Sequence, residues 1–113
     1  MKKINSIILV LFFSLLSSPS WSETLTMDDL VERNNLYYKK FTNVPFTGEI
    51  SGKENGKFKN GKRDGEWLFY RDNGQFFMKK NYKDGVKDGL WEYFNKDGSL
   101  DRTETWKRGV KID

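Results

Sequence analysis

The sequence predicts a mainly β protein, an antiparallel meander of repeated β-hairpins entered through one short helix. Three observations carry this. Gly61, Gly65, Trp67, Gly74 and Lys83 recur as Gly85, Gly89, Trp91, Gly98 and Lys107, each displaced by 24 residues, a step in the range of repeat arrays. Glycine follows Asn or Asp at Asn60-Gly61, Asn73-Gly74, Asp84-Gly85 and Asp97-Gly98, the dipeptides that supply the positive φ angles of two-residue hairpin turns. The chain has no Ala, the best helix former, while 16% of its residues are aromatic, a bias toward strands.

The elements follow in order. Lys2 and Lys3 precede an apolar run from Ile7 to Leu16, then Ser20-Trp21-Ser22, the layout of an export signal cleaved after Ser22. The run is about half the ~20 apolar residues that span a bilayer, so residues 1–22 read as a signal peptide and the product as exported, either periplasmic or secreted. Removing them leaves 91 of 113 residues, room for one small domain. Residues 23–35 read as a capping helix: Thr26 stands at its start, Asp28 and Asp29 in its first turn, and Met27, Leu30 and Val31 share a face, with Asn34-Asn35 as the stop. Residues 36–113 hold the hairpins, as a shortened unit 46–60, full units 61–84 and 85–108, and a partial unit 109–113.

The turns alternate at 13 and 11 residues, which fixes a trial register. Pivoting on Asn73-Gly74 pairs Phe69 with Met78, Trp67 with Lys80 and Gly65 with Tyr82. Pivoting on Asp84-Gly85 pairs Met78 with Trp91 and Phe76 with Tyr93, and the last hairpin sets Gly89 opposite Trp106. Because side chains alternate along a strand, one face then carries Phe58, Trp67, Phe69, Phe76, Met78, Tyr82, Trp91, Tyr93, Leu100 and Trp106. Gly65 and Gly89 are expected to leave room for the rings of Tyr82 and Trp106. The opposite face carries Leu68, Tyr70, Phe77 and Phe94 among polar residues.

Chemistry is scarce. With no His and no Cys, imidazole bases, thiol nucleophiles and most metal ligation are excluded. Ser51 and Ser99 lie outside any nucleophile-elbow pattern, Glu66 and Glu92 occupy different positions of the unit, and Asp64 and Asp88 suit turn hydrogen bonding. No enzymatic activity and no cofactor are expected. Without Lys2 and Lys3 the balance is 18 basic to 16 acidic residues, which speaks against a nucleic-acid partner.

The run Asn60-Gly61-Lys62-Arg63-Asp64-Gly65-Glu66-Trp67-Leu68-Phe69-Tyr70, with Asn73-Gly74 and Tyr82-Lys83-Asp84-Gly85, resembles the bacterial variant of the MORN repeat. The copy Asp88-Gly89-Leu90-Trp91-Glu92-Tyr93-Phe94 with Asp97-Gly98 is similar, as is the lead-in Leu36-Tyr37-Tyr38-Lys39-Lys40 with Pro45-Phe46-Thr47-Gly48. The resemblance covers about Asn35 to the C-terminus. It implies a single-layer curled sheet that serves as a scaffold in protein or membrane association. Many bacterial relatives carry the label of a YwqK-type antitoxin; beside an export signal, an immunity role outside the cytoplasm fits better.

Two surfaces are candidates for binding. Trp67, Phe69, Tyr70, Phe77, Trp91, Tyr93 and Phe94 form either a core or a partner surface for a protein, with stacked sugar rings of cell-wall glycan as a further ligand class. Lys53, Lys57, Lys59, Lys62 and Arg63 form a basic cluster suited either to an anionic membrane surface or to a solvated edge that resists aggregation. The leading expectation is a protein-binding scaffold, and the alternative is a peripheral membrane or cell-envelope module.

Overall fold

The computed structural model describes residues 24–113; the export segment expected at residues 1–22 lies outside them. Strands occupy 61% of the described residues. They are β1 (Thr24–Leu25), β2 (Leu30–Arg33), β3 (Leu36–Lys39), β4 (Gly48–Ile50), β5 (Glu54–Lys59), β6 (Lys62–Tyr70), β7 (Phe76–Lys83), β8 (Val86–Lys87), β9 (Gly89–Phe94), β10 (Leu100–Lys107) and β11 (Val110–Lys111). Among these, nine build one sheet in the order β1-β4-β5-β6-β7-β9-β10-β11, with β8 beside β7, while β2 and β3 form a separate hairpin. Only β1 and β4 run parallel; the other pairs are antiparallel.

The expected N-terminal helix is not there. Thr26 does meet Asp29, whose Oδ2 accepts from the Thr26 backbone N–H at 2.9 Å, but the helical turn stops after the 3-10 residues Met27–Asp29. Leu30–Arg33 then extends and pairs with Leu36–Lys39. Asn34 and Asn35, read as a helix stop, are instead both left-handed, at φ 52° and 68°, which is the geometry of a two-residue hairpin turn. Eight residues are too few for periodicity to separate helix from strand, and here the hairpin wins by placing Leu30 in the core.

The turns between units follow expectation. Asn60-Gly61, Asp84-Gly85 and Arg108-Gly109 all have φ near 51° and 80–83°. The hairpin tips differ: only Gly74 and Gly98 are left-handed, and each closes a three-residue loop, with Gly74 N–H donating to Arg71 O at 2.8 Å and Gly98 N–H to Asn95 O at 2.9 Å. The extra loop residue is offset by a bulge between Phe69 and Tyr70. The two departures cancel, so Gly65–Tyr82, Trp67–Lys80 and Phe69–Met78 pair as expected, as does Gly89–Trp106.

Between units the register moves by two. Met78 faces Tyr93 rather than Trp91, because the Asp88-Gly89 step adds residues after Tyr82–Lys87 has paired. The same happens on β6, where Lys57–Asp64 is followed by Asn55–Leu68. A shift of two preserves the facing of side chains. It also corrects the reason for Gly65 and Gly89: a Cβ at Gly65 would meet nothing within 4 Å and one at Gly89 would meet Asn81, at 3.2 Å, rather than a ring, so what both need is a left-handed backbone, at φ 86° and 106°, not room for Tyr82 or Trp106. Gly56 is the glycine that makes room, since a Cβ there would lie 2.3–2.6 Å from the indole of Trp67.

The tip bulges also move two residues off the expected face. Phe76 pairs with Tyr70 and Leu100 with Phe94, and cross-strand partners share a face. The core lies at the N-terminal end, where Leu30, Phe46, Ile50, Phe58 and Trp67 are buried and Leu25, Met27 and Tyr37 close over them.

Candidate binding surface

One face of the sheet is a ladder of rings. Tyr37 lies 4.9 Å from Phe58, Phe58 5.1 Å from Trp67 edge-on, Tyr82 5.4 Å from Trp91 and Trp91 5.6 Å from Trp106. Trp67 is 0% exposed and Trp91 2%. Each indole lies across the preceding strand, Trp67 Nε1–H donating to Lys57 O at 3.1 Å and Trp91 Nε1–H to Asn81 O at 2.8 Å. These two rings are structural, which corrects their place among the binding candidates: once covered and hydrogen-bonded, they have no face left for a partner. Phe69 packs 6.4 Å from Trp67 beneath the Lys80 ammonium. Tyr93 is held by Arg102 over its ring at 3.9 Å and by donating its hydroxyl to Glu104 at 3.1 Å.

A second group sits at the hairpin tips. Phe76 bridges Tyr70 at 5.7 Å and Phe94 at 5.0 Å. Arg71 lies 4.5 Å from the Phe77 centroid and donates to Phe94 O at 3.2 Å, while Gln75 Nε2–H donates to Lys96 O. The two tips are thus locked side by side, and the four rings remain half-buried. Of the seven aromatic candidates, Tyr70 and Phe94 meet here through Phe76, and Phe77 joins them through Arg71.

The basic cluster divides. Lys53 pairs with Asp72 at 2.6 Å; the hydrogen bond and charge of Asp72 raise its pKa, and Lys53 lowers that of Asp72 in return. Arg63 turns inward: it bonds Glu54 at 3.0 Å and lies 4.8 Å from the Trp67 centroid, so it is withdrawn from any anionic surface. Lys57, Lys59 and Lys62 stay exposed, with Lys57 opposite Asp64 and Lys59 opposite Lys62.

Charge on the ring face is organised around residues that sequence reasoning passed over. Glu104 accepts from Tyr93 Oη and Trp106 Nε1, both at 3.1 Å; burial works to raise its pKa, but these donors with Lys111 and Arg102 hold it below the usual range. Burial lowers the pKa of Lys80, helped by Lys87 and Arg63. A signal was present, because Gly56, Lys80 and Glu104 are spaced by the same 24-residue step as the turns and differ in charge. Phe41 was also missed: it is fully exposed with φ 68°, a conformation bulky residues seldom adopt. Among the described residues, no group of three Asp or Glu side chains is placed to hold a metal ion, and no helix is long and apolar enough to cross a membrane.

Comparison with known proteins finds no family model, no curated protein and no solved structure that matches this chain.

Proposed function

We propose that this chain is an exported, non-catalytic module of MORN-like hairpins that binds a protein partner, in an immunity or antitoxin-like role outside the cytoplasm. The supporting observation is the ring cluster Tyr70, Phe76, Phe77 and Phe94: half-buried aromatics on two tips that are clamped together through Arg71 and Gln75. Rigid aromatics at a polar rim are the residue types that dominate protein interfaces. The 24-residue step and the motif around Trp67 and Trp91 support the MORN-like reading, and the layout of residues 1–22 supports export with cleavage after Ser22. The test is affinity capture from the native envelope with the full chain and with Tyr70→Ser/Phe77→Ser/Phe94→Ser. The proposal expects one captured protein, lost in the triple variant while its unfolding midpoint stays within a few degrees of the parent. Equal capture by both overturns the assignment of this surface.

The alternative, a peripheral membrane or cell-envelope module, draws on the exposed Lys57, Lys59 and Lys62, of which Lys59 and Lys62 face each other without a carboxylate between them. Co-sedimentation with anionic vesicles that is abolished by salt would favour it; absence of binding at low salt would remove it.

A further inference from the structure

The ring face carries three rungs, each 24 residues from the next, with a cation at position 63, 87 or 111. In the first rung Arg63 stacks 4.8 Å from the Trp67 centroid and is neutralised by Glu54 at 3.0 Å. In the third, Lys111 lies 3.8 Å from Glu104, which also takes Arg102 at 3.7 Å. The middle rung breaks this pattern. Lys87 stands where Arg63 and Lys111 stand, but the position that holds Glu104 in the third rung holds Lys80 here. Both ammonium groups lie 4.8 Å from the centroid of one indole, Trp91, and neither pairs with a carboxylate among the described residues. Lys87 is exposed and Lys80 half-buried. The ring face of Trp91 attracts both cations yet supplies no counter-charge, and the indole N–H is already committed to Asn81 O.

We infer that Lys80 and Lys87 form an anion-accepting rung, filled by a carboxylate side chain from an acidic segment of the protein partner. The inference rests on the scaffold reading above and names the chemistry of what the scaffold binds. A carboxylate is favoured over a phosphate because the cations of both flanking rungs are met by glutamates, Glu54 on Arg63 in the first and Glu104 on Lys111 in the third, although the two glutamates stand at different positions of the unit.

The test is a titration of the isotopically labelled full chain with a blocked tetraglutamate peptide, following the indole N–H resonances. The expected result is a saturable, salt-sensitive shift of Trp91, accompanied by Trp106, whose ring lies 4.2 Å from Lys87, with Trp67 unmoved. Lys80→Glu copies the third rung and should weaken the peptide about tenfold or more while leaving the Trp67 resonance in place; Lys87→Met is the second variant should the first fail to fold. Lys57→Gln/Lys59→Gln should bind as the parent does. Absence of a saturable Trp91 shift, equal affinity in Lys80→Glu, or tighter binding of inorganic phosphate or phosphatidylglycerol vesicles than of the peptide overturns the inference. Failure here is separable from failure of the scaffold reading: capture from the envelope that survives Lys80→Glu but is lost in the triple tip variant rejects the anion rung alone.

Discussion

Replacing Gly56 with Ala adds one methyl group to β5 and should be among the most destabilising single changes in the sheet. The backbone there is not left-handed, so the cost is one of space. The new Cβ would sit 2.3 Å from Trp67 Cδ2, and ordinary contact begins near 3.4 Å, so the indole must retreat by about 1 Å in a close-packed interior. It has nowhere to go: the ring is 0% exposed, Phe58 meets it edge-on at 5.1 Å, and Arg63 stacks on it. Overpacking of this kind costs about 1–3 kcal/mol, and loss of the Nε1–H bond to Lys57 O adds about 1 kcal/mol, giving roughly 2–4 kcal/mol in total. Urea unfolding followed by tryptophan fluorescence measures it; with a slope of about 1 kcal/mol/M for a small domain, the midpoint should fall by about 2 M or more. Gly56→Ala/Trp67→Phe, with a smaller ring, should recover part of the loss non-additively. A Gly56→Ala midpoint within experimental error of the parent would refute the packing argument.

The other predictions concern backbone conformation and charge. Gly65→Ala, at φ 86° with open space around it, should cost about 1–2 kcal/mol, less than Gly56→Ala, by the same urea measurement. Asn35→Gly, at φ 68°, should hold or slightly raise stability, whereas Asn35→Val should lower it by about 1 kcal/mol or more; the reverse order would restore the helix reading of this segment. Glu104 has a depressed folded pKa, so its contribution is fully present above the unfolded value near 4.3 and is lost as pH falls through the folded value. The stability gap between the parent and Glu104→Gln should therefore narrow as the pH falls below that unfolded value, and a gap independent of pH would contradict the assignment.

Much of the fold was legible because turn chemistry is local. Asn60-Gly61 and Asp84-Gly85 need only their own φ angles, and the pairing Gly65–Tyr82 through Phe69–Met78 follows by counting from Asn73-Gly74, where the three-residue tip and the adjoining bulge cancel. What was not legible depends on distant parts of the chain. Gly65 and Gly89 look alike whether they make room for rings or turn a bulge, and only the shift of Met78 onto Tyr93 separates the two roles. Leu30–Arg33 has no intrinsic mark of a strand until Leu36–Lys39 returns beside it. Trp67 reads equally well as surface or core until that hairpin covers Phe58 and Trp67. Arg63 counts as one of five cations in the sequence, and its withdrawal is set by Glu54, nine residues away on the neighbouring strand. The tip rings and the charge reversal at Lys80 could be found by aligning the units, although not how far each is exposed.

The central claim is that a protein partner contacts the aromatic hairpin tips while Trp67 and Trp91 hold the fold from within. Hydrogen–deuterium exchange of the captured complex against the free chain tests this most directly. The account predicts new protection over residues 70–77 and 94–100, with little change over residues 24–50. Protection confined to the N-terminal hairpin and its neighbours, with the tips exchanging as in the free chain, would contradict it.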